Sequence, residues 1–432
     1  MRALFRSAGL LAALALALGA ASCGGDDDEG ADAGDVSFEL RIGHVAPFTG
    51  ALSDFGPPGD KAAKIAVELI REAVQERELD VTVTYMAEDS QTDATAGVEA
   101  ATKLVQTDAV NAVIGAWAST VTIPIAESVT VPNQVLQISP ASTSPAISLL
   151  EDDDYMWRTP PSDAIQGELV ARIAAEEFGD DATLNTGTRN DAYGTALIAE
   201  FEQNWRDQGG TIGRSVRWNP EAATFDTEAQ RLAGGNPDGW VIVDFPETWA
   251  RFGPALVRAG GWDPERTFTT DGLASDALPG DAGRRATAGM RGTRPSPGGE
   301  TPAGDAFGRV YGERGDQSIA RQTFDAQTFD AVMVAFLAAL RAGSSESQAI
   351  RDNLRDVSGP PGTQYTFEQL DEAIADLLEG NDIDYEGVSG VINFDENGDP
   401  QANGAVYQTW HFEGGNLVED ETFTYPFEDS DG

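Results

Sequence analysis

Phe38-Glu-Leu-Arg-Ile-Gly-His44 alternates apolar and polar residues with the period of a strand, a Pro/Gly loop runs from Pro47 to Gly59, and Ala62, Ile65, Ala66, Leu69, Ile70, Ala73 and Val74 then fall on one helical face. Strand, loop and amphipathic helix in that order predict one unit of a parallel α/β sheet. The unit repeats. Val81 to Tyr85 reads as a strand, Asp93 to Gln106 as a helix, Ala112 to Ile114 as a buried strand, Thr120 to Val129 as a short helix, and Gln134 to Ile138 closes the series. From Ser162 a second series begins, with helices at Gln166 to Phe178, Tyr193 to Gln208, Asp226 to Leu232 and Glu247 to Gly260. Strands at Ala182 to Thr186, Thr211 to Trp218 and Gly239 to Val243 alternate with them. Beyond a Gly/Pro-rich crossing at Gly289 to Gly299, helices return at Thr323 to Ala342, Glu346 to Asp356 and Thr366 to Glu379. A β-hairpin is predicted to end the chain, pairing Gly390 to Phe394 with Ala405 to Phe412 through Glu396-Asn397-Gly398-Asp399. A hydrophobic content of 41% over 432 residues is enough for two lobes with full cores.

Ahead of this fold, Arg2 and Arg6 precede an apolar run from Ala8 to Ala21 that stops at Ser22-Cys23-Gly24-Gly25, the layout of a secretory signal. Cys23 is the only cysteine and so closes no internal disulfide. The segment resembles a bacterial lipoprotein signal, with Ala20 where leucine is usual. That resemblance implies a signal peptide over residues 1–22, acylation of Cys23, and a protein periplasmic or lipid-anchored to the outer face of the cytoplasmic membrane. Residues 24–35 have no apolar side chain larger than alanine, and 23–35 read as an acidic tether, with folding expected from Val36.

Charge narrows the function. With 72 acidic against 28 basic side chains the net is −44, and the only lysines are Lys61, Lys64 and Lys103. Such a polyanion repels nucleic acid and has no electrostatic hold on anionic lipid. Self-repulsion of this size is relieved by salt, since the screening length falls from about 10 Å at 0.1 M to about 3 Å at 1 M. A salt-rich habitat and simple genomic base bias both remain open as its origin. No span long enough to cross a membrane follows the leader, so any transmembrane effect must pass through another protein. His44 and His411 are the only imidazoles, and no nucleophile elbow, phosphate loop or His/Cys metal spacing is present. Asp395-Glu-Asn397-Gly-Asp399 starts like a calcium loop but has Val406 at its twelfth position, and reads as a turn. The expectation is a protein that is no enzyme and holds no cofactor or metal.

Ile42-Gly-His-Val-Ala-Pro-Phe-Thr-Gly50, Phe55-Gly56, Val113-Ile-Gly-Ala-Trp-Ala-Ser119 and Ile138-Ser-Pro-Ala-Ser-Thr-Ser-Pro145 resemble, in order and spacing, periplasmic binding proteins of the leucine/isoleucine/valine type. The likeness extends through Asn190-Asp-Ala-Tyr-Gly194, Phe245-Pro-Glu247, Asp271-Gly272, Phe329-Asp330-Ala331 and Gly390 to Gly398. It implies an α/β fold of two doubly wound lobes joined by three crossings, with ligand in the cleft between them. Lobe one is expected at 36–159 plus 296–384 and lobe two at 160–295 plus 385–432.

An α-amino acid carries an anion and a cation a few ångströms apart, so its site needs hydrogen-bond donors beside a carboxylate. Gly115 to Ser119 and Ser139 to Ser144 each follow a predicted buried strand, at the carboxyl end where open α/β sheets bind ligands. The resemblance implies that Ser119 donates its hydroxyl, that the loop of Ala141, Ser142 and Thr143 supplies backbone groups and the Thr143 side chain, and that Asp271 meets the ammonium. It makes Phe55 and Tyr193 the aromatic walls. Each has a plainer alternative: Ser119 and Thr143 as helix caps, Phe55 and Tyr193 as core rings, Asp271 as a turn former. Asp244-Phe245 departs from the family, which has tyrosines or glycines there. An Asp244 facing the cleft favours a ligand with an extra amine or amide; capping the next helix, it leaves the pocket apolar. The resemblance implies a monomer that captures a branched-chain or related amino acid and delivers it to an ABC permease. The alternatives are a sensor signalling to a membrane receptor, and a site for a short amide or a non-branched amino acid.

Overall fold

In the computed structural model the period-two stretch is β1 (Ser37–Ala46), and the apolar stripe after it is α1 (Gly56–Glu76), entered through Pro57 and Pro58. Proline suits that first turn because its missing N–H would have had no partner there. The structure describes residues 36–298 and 301–427; Cys23, the signal and the acidic tether lie outside the described residues. Next come β2 (Asp80–Asp89), α2 (Ala94–Gln106), β3 (Ala112–Gly115), α3 (Ser119–Ile125), β4 (Leu136–Ser139) and β5 (Met156–Arg158). These five strands form one parallel sheet in the order β2-β1-β3-β4-β5.

The chain then crosses to a second set: α4 (Asp163–Phe178), β6 (Thr183–Arg189), α5 (Ala192–Asp207), β7 (Thr211–Trp218), α6 (Asp226–Ala233), β8 (Gly239–Val243), α7 (Pro246–Ala259), β9 (Thr267–Thr269), α8 (Leu278–Asp281) and β10 (Arg291–Pro295). It returns to the first lobe as α9 (Pro302–Glu313), α10 (Asp325–Ala342), α11 (Ser347–Val357), β11 (Thr363–Tyr365), α12 (Leu370–Leu378) and β12 (Ile383–Tyr385). Finally β13 (Val406–Glu413) and β14 (Asn416–Thr424) complete a seven-stranded sheet ordered β14-β13-β10-β9-β8-β6-β7. The run β7-β6-β8-β9-β10 repeats the order of the first sheet, so each lobe reverses its winding once, beside β1 and beside β6. Helix α10 is buried on every side from Asp325 to Leu340 and packs on α1 and α11, the signature of a core helix. Among the described residues no single helix is long and apolar enough to cross a membrane.

Three expectations are corrected. Gly289 to Gly299 is not merely a crossing: it contains β10, whose Arg294 is buried against Gln408 at 2.7 Å and Glu419. The terminal hairpin pairs β13 with β14 through Gly414-Gly415, both at positive φ as a tight hairpin turn requires, whereas Phe394 makes only one isolated bridge, to Pro400. Phe394 instead meets Trp157 edge-on at 5.0 Å. Consequently Tyr385, Val388, Ile392 and Phe394 are buried in the first lobe's core, and the chain leaves that lobe after them rather than at 384/385. Asp395 to Asp399 is a closed turn, with the Asp395 carboxylate accepting the N–H groups of Asn397 and Asp399. Asp399 grips the fully buried Arg158 through both its oxygens, at 2.7 and 2.6 Å, which ties the first crossing to the last.

Candidate functional site

The loops that leave β1, β3 and β4 in one lobe face those that leave β6, β8 and β9 in the other, and a small cavity lies between them. Leu52, Phe55, Trp117, Ala118, Ser119, Ala141 and Phe324 line it from the first lobe; Tyr193, Phe245, Asp271 and Gly272 line it from the second. The lobes touch at its rim. Ser275 donates to Asp54 at 2.5 Å, the Ala192 N–H to Thr120 Oγ1 at 3.3 Å, and the Ser144 hydroxyl to the Ala192 carbonyl at 3.0 Å. This is a closed arrangement.

Asp271 is the one charged side chain on the wall. Its Oδ1 accepts from the Tyr193 hydroxyl at 3.1 Å, and that hydroxyl lies 2.8 Å from Thr270 Oγ1 and accepts the Gly272 N–H at 3.2 Å. Burial pushes Asp271 up to about 6, against the downward pull of Gln166 and Tyr193. Glycine is needed at 272, where a Cβ would stand 2.5 Å from the Asp244 carbonyl and 3.0 Å from the Tyr193 hydroxyl. Opposite, Ser119 Oγ accepts the Ser144 N–H at 3.3 Å, which leaves its own proton free to donate. Tyr193 stacks on Phe245 with centroids 5.1 Å apart, and Trp117 meets Phe324 edge-on at 6.3 Å.

Of the residues singled out from sequence, Phe55, Ser119, Ala141, Tyr193, Phe245 and Asp271 share this wall. Ser142, Thr143 and Asp244 do not. The Ser142 hydroxyl is spent on Thr122 Oγ1 at 2.7 Å and the Trp117 carbonyl at 2.9 Å. Thr143 is buried beside Asp163: its carbonyl accepts that residue's N–H at 2.8 Å, and its hydroxyl is turned to the Asp163 carboxyl and not to the cavity. Asp244 is fully buried behind Phe245: it accepts the Phe245 N–H at 2.9 Å and lies 3.7 Å from Arg189, whose guanidinium covers the Phe245 ring at 3.7 Å. Burial raises Asp244 to about 7, opposed by Arg189. It therefore neither faces the cavity nor caps α7, whose cap position Phe245 holds.

Sequence reasoning missed Leu52, Trp117, Phe324 and, just behind the wall, Asp163. Trp117 lay inside a quoted motif without being chosen. Asp163 opens α4 three residues before the expected start; it is fully buried beside the Thr143 hydroxyl, and burial together with Asp271 raises it well above the usual range. Among the described residues no group of three His, Cys, Asp or Glu side chains could hold a metal. The wall offers a hydroxyl donor, a carboxylate acceptor and aromatic surface.

A family described as periplasmic binding protein matches residues 39–410. A Leu/Ile/Val-binding protein homolog of Brucella abortus is 24% identical over 398 residues, covering 87% of this chain and 92% of its own. A chemotactic signal transduction system substrate-binding protein of Halobacterium salinarum, BasB, is 24% identical over 365 residues, covering 82% and 83%. Among solved structures, a leucine-binding protein of Thermotoga maritima superposes with a TM-score of 0.73 at 22% identity, over 90% of this chain and 99% of that one.

Proposed function

The chain belongs to the periplasmic binding protein family, solute-binding proteins of the extracytoplasmic space rather than enzymes, and on that premise we propose that it captures a branched-chain or related amino acid and delivers it to an ABC permease. The observation that carries this reading is the polarity of the cavity: a free hydroxyl at Ser119, a carboxylate at Asp271, and apolar rings between them. A zwitterion has that same polarity. Its carboxylate accepts hydrogen bonds from the Ser119 hydroxyl and from backbone N–H groups of the 115–119 and 139–144 turns, and its ammonium faces Asp271. Each charge-assisted hydrogen bond contributes roughly 1.5 to 3 kcal/mol. Burying an aliphatic side chain against Phe55, Tyr193 and Phe245 adds roughly 1.5 to 3 kcal/mol.

Because both lobes build the wall, the ligand makes all its contacts only when they are closed, and that differential affinity shifts the population toward the form a permease recognises. The protein works as a monomer held to the membrane by a lipid on Cys23, with residues 23–35 as the tether. A second reading, a sensor feeding a membrane receptor, is favoured by the name of the Halobacterium relative.

Mass spectrometry of the small molecule that copurifies, followed by calorimetric titration with leucine, isoleucine, valine and glutamine, tests the proposal. Asp271→Ala is expected to weaken the tightest of these about 10- to 150-fold, the equivalent of one charge-assisted hydrogen bond. An unchanged affinity in that variant removes the ammonium assignment. A permease gene beside this one supports delivery, and a receptor gene supports sensing.

A further inference from the structure

We propose that Trp117 sets the size of ligand that the cavity accepts, and that His44, which does not line the cavity, is the positioning residue that holds Trp117 in place; this rests on the amino-acid reading above. Three neighbours pin the indole. Its Nε1–H donates to His44 Nε2 at 3.2 Å. Its benzo edge lies so close to α1 that a Cβ on Gly59 would fall 2.1 Å from Cζ2 and 2.4 Å from Cη2. Phe324 closes on it edge-to-face at 6.3 Å.

The first of these contacts depends on which imidazole nitrogen carries the proton, and a chain of hydrogen bonds decides that. Asp60 receives the Lys64 ammonium on Oδ2 at 2.6 Å and the Tyr85 hydroxyl on Oδ1 at 2.6 Å. With its proton given to Asp60, the Tyr85 oxygen accepts, 2.7 Å away, from His44 Nδ1. His44 is therefore the Nδ1–H tautomer, and its Nε2 keeps the lone pair that the indole needs. Trp117 cannot swing aside without leaving two buried polar groups unpaired. The fixed ring is part of the wall of a small cavity.

The test is a calorimetric panel of alanine, valine, leucine, phenylalanine and tryptophan against wild type, Trp117→Leu, His44→Leu and His44→Gln. Wild type is expected to prefer valine or leucine. Trp117→Leu should raise the phenylalanine-to-valine affinity ratio at least tenfold, in line with the 10- to 200-fold that one methylene commonly decides in a hydrophobic pocket. His44→Leu should move the ratio the same way by less, and His44→Gln, whose amide oxygen accepts the indole proton, should restore it. A wild-type ratio in a folded Trp117→Leu protein overturns the role of Trp117. Should that variant not fold, Trp117→Phe is measured with the same expectation and the same overturning result. Equal ratios in wild type and His44→Leu overturn the positioning role of His44. If wild type binds nothing in the panel and neither isoleucine nor glutamine, the amino-acid reading itself falls, and this inference with it; tight wild-type binding with unmoved ratios defeats the inference alone.

Discussion

Asp271 gives the sharpest expectation at the level of single residues. Burial holds its carboxyl at about 6, and an ammonium needs the ionised form. Affinity for an amino acid should therefore fall as pH drops below 6, by about tenfold per unit, whereas titrations at pH 7 and 8 should agree. A flat profile from pH 7 to 5 would show that Asp271 is not the partner. His44 works through stability. Buried and neutral, it titrates at about 4 in the fold against 6.5 ordinarily, so its contribution is complete above 6.5 and is lost as pH falls from 6.5 through 4. Each unit of that window costs about 1.4 kcal/mol, and His44→Gln should flatten the acid limb of a denaturation-versus-pH curve. Ser119, Ala141 and Phe245 lie in turns just past β3, β4 and β8, whereas Phe55, Tyr193 and Asp271 were legible only through the family likeness. Thr143 and Asp244 lie in the same kinds of turn, but nothing in a turn's composition tells which side of the chain a side chain leaves from. Trp117 and Phe324 were invisible for another reason: a ring on a cavity wall and a ring in a core have the same sequence pattern.

Single elements show how closely site and scaffold are joined. Helix α1 backs the cavity wall at Gly59, which lies against the Trp117 ring, so Gly59→Ala drives a methyl into Trp117. Overpacking of this kind typically costs about 1–3 kcal/mol, and chemical denaturation should register that loss together with weaker amino-acid binding. An unaltered midpoint would mean that the indole is not held against α1. In the scaffold itself, Phe336→Ala empties the middle of α10 and should cost about 3–5 kcal/mol by the same measurement. The strand and helix alternation of both lobes was readable from periodicity, since β7 and β8 span the expected residues and most helices differ by a turn or less. β10 was not. Its Arg-Gly-Thr-Arg-Pro sequence lacks apolar residues, because a buried guanidinium satisfied by Gln408 and Glu419 replaces the usual side chains. The hairpin slipped because Asn397-Gly398 imitates a hairpin turn, while Gly414-Gly415 forms it.

Across the whole molecule, two sheets wound in the same order bring their carboxyl ends together, and one cavity results. That arrangement could be expected from sequence only through the family likeness, since strand order leaves no trace in periodicity. A net charge of −44 acts at the same scale. Repulsion among carboxylates is relieved as the screening length shortens from about 10 Å to about 3 Å, so the melting midpoint should rise between 0.1 and 1 M KCl. A midpoint independent of salt would count against self-repulsion as a limit on stability. The account as a whole turns on closure of two lobes around a small zwitterion. Small-angle scattering with and without a saturating amino acid, chosen by calorimetry, tests it most directly: the radius of gyration should shrink on binding, and superimposable curves for free and saturated protein would contradict the mechanism.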